Sequence, residues 1–252
     1  MTRTSKGTLA IALVSFLLAA VIVSPLLYCL SASFMTEKEL YASQLLPSAL
    51  TLSNYRAALR VAPIFTFILN STIVALACTA AQLLTGSLAG YAFGCLKFRG
   101  QKPLFLLFLA TMMIPGNAII IANYLTMAQM KLLNSYWALI LPYMTSAFCV
   151  FNMRQAYMSL PTELREAAII DGCNSFQFFL HIGLPLTVPF LGSLGIYTFL
   201  QIWNQYLWPL LVTNSIGMRT VQSHAAMVDS ARPSPSVPST TARRSALLSC
   251  GA

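Results

Sequence analysis

Charged residues punctuate this chain sparsely, and the gaps between them are long. No Asp, Glu, Lys, Arg or His lies between Lys6 and Glu37, Arg60 and Lys97, Lys102 and Lys131, or Lys131 and Arg154. The stretch from Asp171 to Arg219 is broken only by His181. A helix needs roughly 20 apolar residues to cross about 30 Å of hydrocarbon. The gaps therefore predict spans near 9–33, 66–93, 104–128, 135–156 and 187–212. None shows the strict alternation of a barrel strand. The predicted fold is all-α, a polytopic transmembrane bundle with five visible spans. The first apolar run, Leu9 to Leu30, exceeds the roughly 7–15-residue core of a cleaved leader and is read as a retained span.

Composition agrees. Apolar residues make up 57% and charged residues 8% of the 252, against roughly 45–50% and 25% in a soluble domain. A globule so poor in charge cannot cover its surface for water, so lipid is the expected solvent. Disordered, collagen-like, coiled-coil and nucleic-acid-binding classes are excluded by the same figures. The formal charge of +9 is spread over many loops and suits an anionic membrane surface. Six cysteines form no CxxC pair and read as small membrane hydrophobes, with no metal site.

Basic residues mark the cytoplasmic side of short loops. Arg3 and Lys6 precede the first span, Lys97, Arg99 and Lys102 follow the second, and Arg154 and Arg165 follow the fourth. The amino terminus and the segment 157–186 are therefore expected inside. Gly86, Gly90 and Gly94 fall four apart on one face, a spacing that permits close helix approach in lipid; ordinary membrane-helix glycine is the alternative. Pro25, Pro115, Pro142 and Pro209 predict bends.

No carboxylate falls within the five predicted spans, which removes the usual intramembrane proton carrier. His181 lies in the cytoplasmic segment and reads as interfacial. No HExxH, GxSxG, Walker or GxGxxG pattern occurs, so neither an enzyme nor a bound cofactor is indicated. Uphill movement would take its energy from a partner at the cytoplasmic surface.

One cytoplasmic stretch has specific content: Ser159-Leu-Pro-Thr-Glu-Leu-Arg-Glu-Ala-Ala-Ile-Ile-Asp-Gly172. Pro161 suits a helix start, Glu163 favours its dipole, and Gly172 suits a left-handed end. Leu164, Ala167 and Ala168 are expected on one side. A second short helix, capped by Asn174 or Ser175, is expected to carry Phe176, Phe178, Phe179 and Leu180 until Leu184-Pro185 stops it. Physical pattern alone leaves open an interfacial amphipathic loop without a partner.

Glu166-Ala167-Ala168, Gly172 three residues on, Ile182 nine further, then Leu184-Pro185 resemble the EAA-x3-G-x9-I-x-LP loop of binding-protein-dependent ABC transporter permeases. Leu133-Asn134-Ser135-Tyr136-Trp137 with Leu141-Pro142, and Trp203-Asn204-Gln205-Tyr206-Leu207-Trp208-Pro209-Leu210, are similar to the carbohydrate-import branch and to glycerol 3-phosphate permeases. The resemblance implies a six-span fold in a bacterial inner membrane. It further implies a cytoplasmic ABC ATPase dimer that binds the ATP, a second permease subunit, and an extracytoplasmic solute-binding protein. Glu166, Ala167, Ala168, Asp171, Gly172, Ile182, Leu184 and Pro185 inherit ATPase coupling. Trp203, Asn204, Tyr206 and Trp208 offer aromatic faces and an amide to a sugar; an aromatic belt with core packing is the other reading. The competing class is an energy-independent facilitator or structural subunit, and glycerol 3-phosphate is the alternative substrate.

The permease domain is expected over residues 1–222. After Arg219-Thr220-Val221-Gln222 no sixth apolar run is visible, and residues 223–252 read as a Pro/Ser-rich tail, disordered or frameshifted.

Overall fold

A computed structural model describes residues 6–231 other than Ser43. All regular elements among these residues are helical. The chain divides into two units, residues 1–64 and 65–252.

In the first unit, α1 (Lys6–Ser33) exposes apolar side chains on every side, with Ile11, Phe16 and Ile22 each about 70% accessible. Water would reject such a surface; hydrocarbon accepts it. The loop that follows holds α2 (Glu37–Tyr41) and α3 (Ser53–Val61). Its irregular backbone is tied down by side chains. Asn54 donates to the carbonyls of Ser33 and Met35 at 3.1 and 2.8 Å, and Thr51 Oγ1 donates to that of Phe34 at 2.9 Å. Glu39 accepts from the backbone N–H of Thr36 at 2.8 Å and of Ser48 at 3.0 Å.

The second unit is built around α4 (Ile64–Cys95). Its buried stripe recurs every three or four residues, as a helix with one packed face requires. The stripe contains Asn70, Ser71, Thr79, Gln82 and Ser87. In lipid the apolar faces point outward, so association relies on close packing and on polar side chains that bridge helices. Asn70 donates to the carbonyls of Gly217 and Arg219 and accepts from Tyr136. Gln82 donates to the carbonyl of Tyr143, and Ser87 shares a 2.6 Å hydrogen bond with Tyr157.

Around α4 lie α5 (Gln101–Ala110), α6 (Ile120–Gln129), α7 (Tyr136–Ile140) and α8 (Ala147–Met158). Then come α9 (Thr162–Ile170), α10 (Ser175–Phe178), α11 (Leu184–Trp203), α12 (Leu207–Val212) and α13 (Val221–Ala231). Among the described residues, three helical runs are long and apolar enough to cross a membrane: Ile11–Ser33, Ile64–Cys95 and Ser175–Trp203. Two bent pairs bring the candidates to five.

Those pairs carry the bends expected at Pro115 and Pro142. The stretch Gln101–Gln129 turns by 88° around Ile114-Pro115, and Tyr136–Met158 bends by 47°. Pro115 and Pro142 lack the N–H that would continue the ladder. The span predicted over 187–212 is redrawn: it begins at Ser175, ends at Trp203, and α12 is separate. Leu184-Pro185 does not stop the preceding helix. A π-turn at Phe179–Gly183 shifts the register, and Pro185 then sits in the first turn of α11, where its missing N–H is harmless.

The boundary expected after Gln222 falls inside α13. Thr220 and Ser223 cap each other's backbone, the Val221 N–H donates to Ser71 at 3.0 Å, and the His224 ring lies 4.6 Å from that of Phe67. Ser223 is buried. Judging residues 223–231 by whether they could span a membrane overlooked the Thr-x-x-Ser helix start. The rest of the expected tail, 232–252, lies outside the described residues.

Candidate functional site

The segment around Glu166-Ala167-Ala168 folds as two short helices joined by a tight turn. Pro161 opens α9 with Glu163 in its first turn. Gly172 closes it at φ +78°, and the N–H of Cys173 returns to the Ala168 carbonyl at 2.9 Å. Asn174 then caps α10 reciprocally with Gln177, at 2.8 and 2.9 Å.

Each helix has an inward and an outward face. Ala168, Phe178 and Phe179 pack into a buried cluster with Tyr91 and Tyr157. Tyr91 donates to the Ser175 carbonyl at 2.8 Å, and Arg165 donates to the Cys95 carbonyl at 2.6 Å. That arginine satisfies a terminal carbonyl of α4, where the helix dipole favours a cation. Outward stand Glu163, Glu166, Ala167 and Asp171, with Ile169 at 62%, Ile170 at 86% and Phe176 at 62% exposure.

Ala167 and Ala168, expected on one side, therefore separate, with Ala168 inward and Ala167 outward. Ile182 and Leu184 pack against the buried cluster, and Pro185 is exposed at the start of α11.

Above this knob, Gly86, Gly90 and Gly94 carry α4 against α8. A Cβ on Gly90 would lie 2.7 Å from Met153 Cβ and 2.8 Å from the Arg154 nitrogen. One on Gly86 would lie 2.9 Å from Cys149 Cβ. The glycines are needed for close approach.

The breaks in the membrane helices surround a cavity of about 570 Å³, within the roughly 300–1,000 Å³ of small-molecule sites. Irregular backbone at membrane depth is tolerated where it lines such a space. Gln82, Asn117, Asn123, Tyr143, Tyr197, Gln201, Asn204, Gln205 and Tyr206 contribute polar groups. Asn204 and Tyr206, singled out in the sequence, are thus in the wall. Trp208 also lines it but is 1% exposed, and its Nε1–H is taken by the Ala138 carbonyl at 3.0 Å. Trp203 is not in the lining; it stacks on Phe199 at 5.6 Å. The remaining wall residues were missed because they come from four separate segments, and single-chain spacing does not reveal that convergence.

The Leu133–Trp137 motif proves architectural. Asn134 sits at φ +60°, and its Oδ1 accepts from the Asn214 and Ser215 N–H groups and the Ser215 hydroxyl. Ser135 caps α7.

Residues 82–237 match the model of the family described as binding-protein-dependent transport system inner membrane component. The chain belongs to this family. The permease is 36% identical over 209 residues to the arabinooligosaccharides transport system permease protein AraQ of Halalkalibacterium halodurans, covering 81% of this chain and 75% of that one. It is 35% identical over 209 residues to the sn-glycerol-3-phosphate transport system permease protein UgpE of Salmonella typhi, covering 80% and 74%. Against the lactose transport system permease protein LacG of Rhizobium radiobacter the identity is 39% over 152 residues, covering 60% and 56%. Its fold matches a bacterial ABC transporter structure, that of an importer of the acidic polysaccharide alginate, with TM-score 0.79, 22% identity, and coverage of 99% and 89%. The family match continues past Gln222 to residue 237, so it too crosses the expected boundary.

Proposed function

We propose that this permease is a membrane-spanning subunit of an ATP-driven importer of a sugar or related polyol. A solute-binding protein delivers the ligand from outside, and a second permease subunit completes the path. The amino terminus and the α9–α10 knob face the cytoplasm, where a separate ABC ATPase dimer binds and hydrolyses ATP. This chain performs no catalysis of its own.

The observation that carries this reading is the knob itself. It presents Glu166, Ala167 and exposed Ile169, Ile170 and Phe176, a charged rim around an apolar patch suited to a protein cleft. Movement of the knob has a physical route inward. Arg165 and Tyr91 join it to α4, the glycine contacts join α4 to α8, and Gln82 joins α4 to the cavity wall at Tyr143. A rigid, packed lever transmits displacement better than a loop would.

The test is reconstitution with a cognate second permease, ATPase and binding protein. Sugar-loaded binding protein is expected to stimulate ATP hydrolysis and drive uptake, and Glu166→Lys is expected to lose both while still inserting. Equilibration of sugar by this chain alone, without ATPase, would establish a facilitator instead.

A further inference from the structure

The loop after α1 does not lead away from the membrane. The apolar run of α1 ends at Leu30, and the next residue, Ser31, donates its hydroxyl to the Leu45 carbonyl at 2.9 Å. The Ser33 hydroxyl shares a 2.8 Å hydrogen bond with that of Tyr55, and the Tyr55 ring lies 5.6 Å from that of Phe34. Residues 45–55 are therefore fastened to the end of α1, at the depth where a membrane helix leaves the hydrocarbon. There the loop shows apolar side chains where an aqueous loop would show polar ones. Leu45, Leu46 and Leu50 are 76%, 75% and 79% exposed, and Leu52 and Leu59 are more than half exposed. No Asp, Glu, Lys, Arg or His occurs from Leu40 to Tyr55. In α3 the N-cap Leu52, Tyr55 and Leu59 stand at i, i+3 and i+7 and share one face. Arg56 and Arg60, at i+4 and i+8, flank that face, and both are exposed.

We propose that residues 45–60 form a lipid anchor: Leu45, Leu46, Leu50 and Leu59 enter the bilayer surface beside the end of α1, while Arg56 and Arg60 bind phospholipid phosphates and favour anionic headgroups. A bilayer is the occupant because the loop is bonded to a helix whose apolar flank is exposed on every side. The apolar surface of the loop continues one that lipid already covers. An amphipathic helix lies in the interface with its apolar face about 5–10 Å into the boundary of headgroups and acyl chains. Arginine suits the edge of such a face, since its stem runs along apolar surface and its guanidinium reaches the headgroups. The anchor fixes the depth and rotation of α1, a helix that few packed side chains hold in place. It does so whatever the chain transports.

The full chain in lipid nanodiscs, alone and assembled with a cognate second permease, tests this by cross-linking. The probes are phosphatidylglycerol and phosphatidylcholine carrying a photoactivatable diazirine at the top of one acyl chain, with adducts mapped by peptide mass spectrometry. Adducts are expected on Leu45, Leu46 and Leu50 in both preparations, alongside those on α1, which report insertion. Phosphatidylglycerol should label the loop more than phosphatidylcholine, by up to about fivefold for each arginine, the equivalent of about 1 kcal/mol. Arg56→Gln with Arg60→Gln should bring the two yields together while α1 stays labelled. Labelling of α1 without the loop would overturn the anchor. So would loop labelling that the isolated chain shows and the assembled pair loses, a result that would make the second permease the cover. Equal yields from the two headgroups in the unsubstituted protein would overturn the phosphate assignment.

Discussion

Replacing Gly90 by alanine should loosen the contact between α4 and α8. The added Cβ would lie 2.7 Å from Met153 Cβ, 2.8 Å from the Arg154 nitrogen and 2.9 Å from the Met153 carbonyl carbon. Comfortable carbon contacts are about 3.5–4.0 Å, so the helices must part by close to an ångström. Two of the three obstructing atoms belong to backbone, and no rotamer change relieves them. Overpacking of this kind costs about 1–3 kcal/mol. Separation also strains the 2.6 Å Ser87–Tyr157 bond and the 3.1 Å bond from Arg154 Nε to the Phe93 carbonyl. Alanine's better helix propensity returns at most about 1 kcal/mol. Gly192 is the internal control, because a Cβ there meets nothing within 4 Å. Cys78 and Cys149 are fully buried, so in a background with Cys29, Cys95, Cys173 and Cys250 replaced by serine a thiol-reactive fluorophore reports unfolding on heating. Gly90→Ala should lower the melting temperature by several degrees, Gly86→Ala somewhat less, and Gly94→Ala, whose nearest contact is 3.3 Å, least. Gly192→Ala should leave it unchanged or raise it. Equal behaviour of Gly90→Ala and Gly192→Ala would refute the close-packing argument.

Gly172→Val meets no steric obstacle but forces a β-branched residue to φ +78°, a strain of about 1–3 kcal/mol; ATPase stimulation by loaded binding protein should fall while insertion persists, and Gly172→Asn should retain more of it. The Thr36 backbone N–H, followed by the Ser48 and Thr36 side chains, holds the Glu39 carboxyl down at about 2. A depressed folded value stabilises the loop above the ordinary pKa of 4.5 and is lost as pH falls from 4.5 towards 2; carboxyl-labelled glutamate NMR should show one of the chain's four glutamates titrating near 2, and Ser48→Ala should raise it. In sealed cells, Cys173, half-buried at the turn after α9, should react only with reagents that enter the cytoplasm, given the positive-inside bias. External labelling would reverse the orientation and remove the ATPase-facing knob with it.

Local chemistry was legible in the sequence where it is written in adjacent residues. Pro161, Gly172 and Asn174 predicted the limits of α9 and the start of α10, and those limits are set by backbone hydrogen bonds a few residues apart. Charge-free gaps located the spans for the same reason, since the cost of burying a charge in hydrocarbon acts residue by residue. The bends at Pro115 and Pro142 were anticipated, but the 88° angle at the first was not. Composition cannot distinguish a kinked span from a helix that turns back.

What escaped the sequence was the polar interior. In water, burial and hydrophobicity run together, so an apolar stripe identifies the packed face. In lipid the relation weakens, because outward and inward faces are both apolar and the informative positions are the few polar ones. Along α4 these are Asn70, Ser71, Gln82 and Ser87, each bonded to an element at least 60 residues away in the chain. Read alone, each resembles a tolerated impurity in an apolar run. Of these, Gln82 lines the cavity that opens where the helices break near Gly116 and Asn204. The same physics accounts for Trp208, which is buried at the cavity wall with its Nε1–H on the Ala138 carbonyl. A large amphipathic ring beside unwound backbone is most useful as a plug with one satisfied N–H, whereas small amides can be left free at membrane depth only where water or a ligand reaches them.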